Sequence, residues 1–121
     1  GHLCGSSYEL HQHVRVSRVL GLSEPRIAAT AGTLPSPHFS DAENACLALA
    51  DDLTANVKGK PALVEAVRTH LGDAATQELI IIIGVYLLVC RFLETLEIEI
   101  EDVPFDGSGL EEIKRSLGTN V

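Results

Sequence analysis

The stretch Gln77-Glu78-Leu79-Ile80-Ile81-Ile82-Ile83-Gly84-Val85-Tyr86-Leu87-Leu88-Val89-Cys90-Arg91 decides the fold. Taken alone, its β-branched run at 79–83 also fits a strand. Charged or polar flanks at Gln77, Glu78, Arg91 and Glu94, with apolar residues on all sides between, favour a central buried helix over about 74–96. The unbroken apolar run, 79–90, is too short to span a bilayer.

Working outward, Gly72-Asp73 predicts a break, and Pro61 starts a preceding helix that reaches Leu71. Residues 56–60 read as a turn. Ser40-Asp41-Ala42-Glu43 is a capping box, in which the serine hydroxyl and the glutamate carboxylate satisfy orphan backbone N–H groups. It opens a helix to about Ala55 whose residues Ala45, Cys46, Leu49, Ala50 and Leu53 make one apolar stripe. Residues 33–39, with two prolines, form the clearest loop. Upstream, Ser23 caps a short helix with Pro25 in its first turn. Leu10, Val14, Ser17 and Leu20 fall at helical spacing over 8–20, closed by Gly21.

Downstream, 97–102 alternates Glu with Ile in a strand-like pattern. With no second strand in view, it predicts an extended tail able to pair across a subunit interface through Ile98 and Ile100. A second capping box, Ser108-Gly109-Leu110-Glu111, opens a last short helix to Leu117. The expectation is a single all-α domain over 1–121, a bundle of about six helices, with 97–121 as tail and short helix.

Composition agrees. A chain of 121 residues holds one core, and 45% hydrophobic content excludes disorder. With 4% aromatics and no Trp or Met, that core is built from Leu, Ile, Val and Ala. A net charge of -8 disfavours a nucleic-acid partner, because such a surface repels phosphate backbones. Arg15, Arg18 and Arg26 gather near one end and read as lining a solvated or inter-helix face. Cys4, Cys46 and Cys90 are spaced too far apart for a metal cluster or a redox pair. Their odd number fits a reducing, cytoplasmic compartment, with Cys46 and Cys90 as small core residues. Gly1-His2 reads as the remnant of a cleaved tag.

The stretch with chemical content is Cys4-Gly5-Ser6-Ser7-Tyr8-Glu9-Leu10-His11-Gln12-His13. On a helix, Glu9 and His13 are four apart and share a face. A carboxylate beside an imidazole orients the ring and favours its protonated form, which makes a competent proton-transfer pair near neutral pH. Such pairs also occur on ordinary helix surfaces. His11 and His13, two apart, point to nearly opposite sides and cannot share a metal on a regular helix.

Continued through Val14-Arg15, then Gly21-Leu22-Ser23 and Ile27-Ala28, this stretch resembles the signature region of carboxymuconolactone decarboxylase-like proteins in the alkylhydroperoxidase-D superfamily. It is similar to the subgroup reading roughly C-G-S-x-Y-E-W-x-Q-H-V-R, followed by A-G-L-S or A-G-L-T. Phe39-Ser40-Asp41-Ala42-Glu43 with Leu47-Ala48-Leu49-Ala50 resembles the family's F-S-x-x-E and L-A-L-A-D. Glu78-Leu79 through Ile83-Gly84-Val85-Tyr86 resembles its E-L-x-x-x-I-G-x-Y helix. The resemblance covers about residues 4–101. It implies an alkylhydroperoxidase-D-like helical bundle that assembles as a dimer, trimer or hexamer, and lyase-type chemistry on a small-molecule substrate.

The departures carry as much meaning. The peroxidase branch has C-x-x-C-x-x-x-H here; aligning its His on His13 puts Ser6 and Glu9 at the two cysteine positions. Neither can make a disulfide, which argues against peroxiredoxin-type activity by the usual route. The subgroup's Trp is Leu10 here, and the family's initial E-L-x-I-L-R-x-A helices have no counterpart. The resemblance leaves Glu9 and His13 as the catalytic candidates: His13 moves a proton and Glu9 orients it. Ser6 and Tyr8 are candidate oxyanion donors, Gln12 flanks them, and Arg15 is a candidate bidentate partner for a substrate carboxylate. Decarboxylation or lactone isomerisation by this set needs no cofactor and no metal. Two other readings stand beside it. One is a non-catalytic oligomeric binding or scaffold protein; the other is residual thiol peroxidase chemistry through Cys4.

Overall fold

The computed structural model describes residues 1–100, and these are all-α, with no strand among them. The helices are α1 (Ser7–Val19), α2 (Glu24–Ala29), α3 (Asp41–Ala55) and α4 (Pro61–Thr95). The expected tail beyond residue 100 and the short helix at 108–117 lie outside the described residues. Each boundary has a local cause. At the end of α1, Leu22 donates its backbone N–H to the Ser17 carbonyl (3.0 Å) and Gly21 donates to Arg18 (3.0 Å), with Gly21 at φ +84°. This is the Schellman arrangement, which needs a left-handed residue after the cap. The Ser40–Glu43 capping box forms as expected, with both reciprocal hydrogen bonds present.

The break before residue 73 is also real. Gly72 sits at φ 80°, ψ 173°, a conformation open essentially only to glycine, and it divides α4 into arms over 61–71 and 73–95. Thr76, buried at 2% exposure, donates its hydroxyl to the Gly72 carbonyl at 2.7 Å and so ties the start of the second arm to the kink. The isoleucine run lies in the second arm and is helical, so the strand alternative is settled.

Packing is dominated by α3 against α4, while α1 touches α2. Leu49 and Val67 are fully buried and Cys90 nearly so. Cys46, expected in the core, is only partly covered. Polar ties carry the rest of the frame. Arg18 on α1 pairs with Glu24 on α2 (2.7 Å), and Arg26 on α2 pairs with Glu43 on α3 and lies over the Phe39 ring. Arg18 and Arg26 thus do line inter-helix faces. Asn44 anchors the 33–39 loop, receiving the Ser36 backbone N–H (2.8 Å) and donating to the Ser36, Phe39 and Ser40 carbonyls.

One expectation is overturned. The second arm of α4 is not a buried helix: Ile81 and Leu88 are each 65% exposed, and Ile82, Val85 and Phe92 are also largely uncovered. The helix is apolar nearly all round, but α3 and the N-terminal segment cover only one side. By length and composition α4 is long and apolar enough to cross a membrane, and only 17% of its apolar window is buried. At its end, Glu97 takes φ 51° while Ile98 donates to the Leu93 carbonyl at 3.0 Å. Residues 98–100 continue without regular structure.

Asp52 joins α3 to the start of α4. Its carboxylate accepts the Lys60 backbone N–H (2.8 Å), faces the Lys60 ammonium (3.1 Å) and accepts from the Asn56 amide (3.2 Å). The Lys60 backbone donor, followed by the ammonium and Asn56, holds this carboxyl below its ordinary value. The unfolded carboxyl titrates near pH 3.9. Its stabilisation is therefore complete above about pH 4 and is lost as pH falls through the lower folded value. Melting curves between neutral and strongly acidic pH should show the wild type losing more stability on acidification than Asp52→Asn, which starts lower. Parallel curves would show that the carboxylate contributes nothing.

Candidate functional site

The first two turns of α1 deliver the acid–imidazole pair. Glu9 Oε2 and His13 Nε2 are 2.8 Å apart. The Glu9 side chain is 11% exposed and that of His13 is 50% exposed. A largely desolvated carboxylate therefore holds an imidazole whose outer half reaches solvent. From α4, Tyr86 meets the His13 ring edge-on, with centroids 5.1 Å apart at 71°. The contact fixes the ring plane that the carboxylate alone leaves free to rotate.

Both residues line a partly open cavity of about 380 Å³ between the N-terminal turn, α1, α3 and α4. Its walls are mainly apolar, with Leu10, Ile82, Ile83 and Leu87 among them. The volume suits a small organic molecule. No known family, curated protein or solved structure matches this chain.

The structure separates the candidates named from the sequence. Glu9 and His13 line the cavity; Ser6, Tyr8, Gln12 and Arg15 do not. Ser6 is 1% exposed at the N-cap of α1, and its hydroxyl has no hydrogen-bond partner. Tyr8, Gln12 and Arg15 are half-buried on other sides of the helix. The physical reason is the 100° step of the helix: residues 8, 12 and 15 fall off the face that carries 9 and 13. Among the described residues no group of three or more His, Cys, Asp or Glu is placed to hold a metal ion.

Three further residues with chemically active side chains line this cavity. Asp51 enters from α3, and partial desolvation against the wall pushes its carboxyl above the ordinary value. Adjacent Asp52 is turned to Lys60 instead, so neighbouring identical residues face opposite sides with carboxyls shifted in opposite directions. Nothing in the Asp51-Asp52 dipeptide distinguishes them. The others are Cys4 and Cys90, which share this wall although their separation in sequence argued against any pairing. Gly1 and His2, set aside on sequence grounds, also contribute to the wall.

Proposed function

We propose that this chain is a carboxymuconolactone decarboxylase-like protein that carries out cofactor-free acid–base chemistry on a small carboxylated or lactone substrate in the cytoplasm. The observation that carries the reading is the Glu9–His13 pair at 2.8 Å in the wall of a small-molecule-sized cavity. His13 transfers the proton at a reacting carbon or ring oxygen. Glu9 orients the imidazole and stabilises its charged form. Asp51, which lines the same cavity from α3 and whose carboxyl is pushed up by partial desolvation, is the second proton carrier. The order of motifs along the chain adds support, with Ser6 and Glu9 standing where the related peroxidases place a dithiol. The test is turnover of a panel of small γ-lactones and β-keto acids bearing carboxylates, with a chelator present. Conversion of at least one, unaffected by the chelator, is expected. If none is consumed, the binding or scaffold reading replaces the enzyme.

The same reading places the chain in an alkylhydroperoxidase-D-like, six-helix homo-oligomer. Support comes from the second arm of α4, whose uncovered face carries Ile81, Val85, Leu88 and Phe92. An apolar stripe of that length on a chain otherwise rich in acidic groups suits a protein interface. Light scattering in detergent-free buffer should give a mass that is a multiple of 12.9 kDa. A monomer, or protein that floats with phosphatidylcholine vesicles, would place a different neighbour on that face.

A further inference from the structure

We propose that Cys4 and Cys90 form a reversible disulfide that ties the N-terminal turn to α4 along the wall of the Glu9–His13 cavity. The two sulfurs come from opposite ends of the described chain, yet both line this one cavity. The Cys4 thiol is near enough to contribute, after burial, to the upward push on the Cys90 thiol. Their environments differ in the way an exchange reaction requires. Cys4 is part-exposed and can be reached by a small reagent; Cys90 is 4% exposed and cannot. Burial also pushes the Cys90 thiol up, which keeps it protonated and leaves Cys4 as the sulfur that meets the reagent first. The backbone allows the small adjustment that bond formation needs. Cys4 sits in the turn before α1, and Gly5 beside it takes φ +67° with open space around it.

The oxidant is a small-molecule disulfide, R–S–S–R, of the glutathione type. Cys4 loses its proton to solvent or to a base of the cavity and attacks one sulfur of the reagent. The reagent's S–S bond breaks, one R–S⁻ leaves and takes up a proton, and Cys4 carries a mixed disulfide. Cys90 then attacks the Cys4 sulfur, its proton going to the second departing R–S⁻. Two protein thiols are oxidised, one reagent disulfide is reduced to two thiols, and no atom is lost. The product closes a loop over 4–90, and its redox state fixes or frees one wall of the cavity. The proposal does not depend on any turnover by Glu9 and His13.

The test treats the full chain with oxidised glutathione, blocks remaining thiols with iodoacetamide, and reads intact mass, peptide map and melting temperature. The expected product is lighter than the reduced chain by two hydrogen atoms before blocking. It carries one alkyl group on Cys46 and yields a peptide linking Cys4 to Cys90. Its melting temperature rises by about 10 °C and falls back on reduction with dithiothreitol. Cys4→Ser is expected to keep its helix content and to form no internal link, with Cys90 left unmodified. A persistent glutathione adduct on Cys4, a link through Cys46, a cross-linked dimer or an unreacted wild type would each overturn the proposal.

Discussion

Replacing His13 with glutamine is expected to lower turnover by about 10²–10⁴-fold, the usual worth of a positioned acid–base group, and to leave the melting temperature nearly unchanged. Glutamine keeps a polar group able to meet Glu9 but cannot carry a proton through a catalytic cycle. Stability is expected to survive because the His13 side chain is 50% exposed, and a pair of this kind is worth on the order of 1 kcal/mol or less. Glu9→Gln should lower turnover by less, since it removes the orienting charge and keeps the imidazole. The measurement is kcat on the best substrate of the panel, with circular dichroism melts on the same preparations. Wild-type turnover in the His13 variant would remove His13 from the mechanism. Loss of activity together with a much lower melting temperature would instead make the pair structural.

The largest expected effect on stability comes from Leu49→Ala. Leu49 is fully buried between α3 and α4, and truncation of such a leucine costs about 2–5 kcal/mol. The upper half of that range is expected because the site cannot collapse easily. The turn above it is pinned where the Lys60 backbone N–H meets Asp52 at 2.8 Å. Gly59 already packs so closely that an added Cβ would stand 3.3 Å from the Leu49 side chain. For a domain of this size the melting temperature should fall by about 10–20 °C. Val57→Ala, at a fully exposed position in the same turn, should change stability by no more than about 0.5 kcal/mol. Similar melts for the two variants would mean that the α3–α4 interface does not hold this fold together.

Much of the local structure was legible because its causes are local. A capping box, a glycine after a helix end and a proline at a first helical position act within one turn of chain. The ends of α1 and α3, the start of α4 and the break at Gly72 could therefore be placed from residues alone. Glu9 and His13 were found for the same reason: a spacing of four fixes their approach once the segment is helical. Covering of the isoleucine helix was not legible. Its periodicity reports that it is apolar on all sides, not which sides the rest of the chain reaches.

By itself, then, the amino-acid order determined where helices begin and end and that an acid stands against an imidazole on the first of them. Tertiary packing alone decided that Tyr86 braces that imidazole, that Asp51 and not Asp52 enters the cavity, and that Cys4 and Cys90 share its wall. Hydrogen bonds of caps and turns span a few residues, whereas those encounters are between groups tens of residues apart. They are set by how α3 and the two arms of α4 lie against one another around the Gly72 kink.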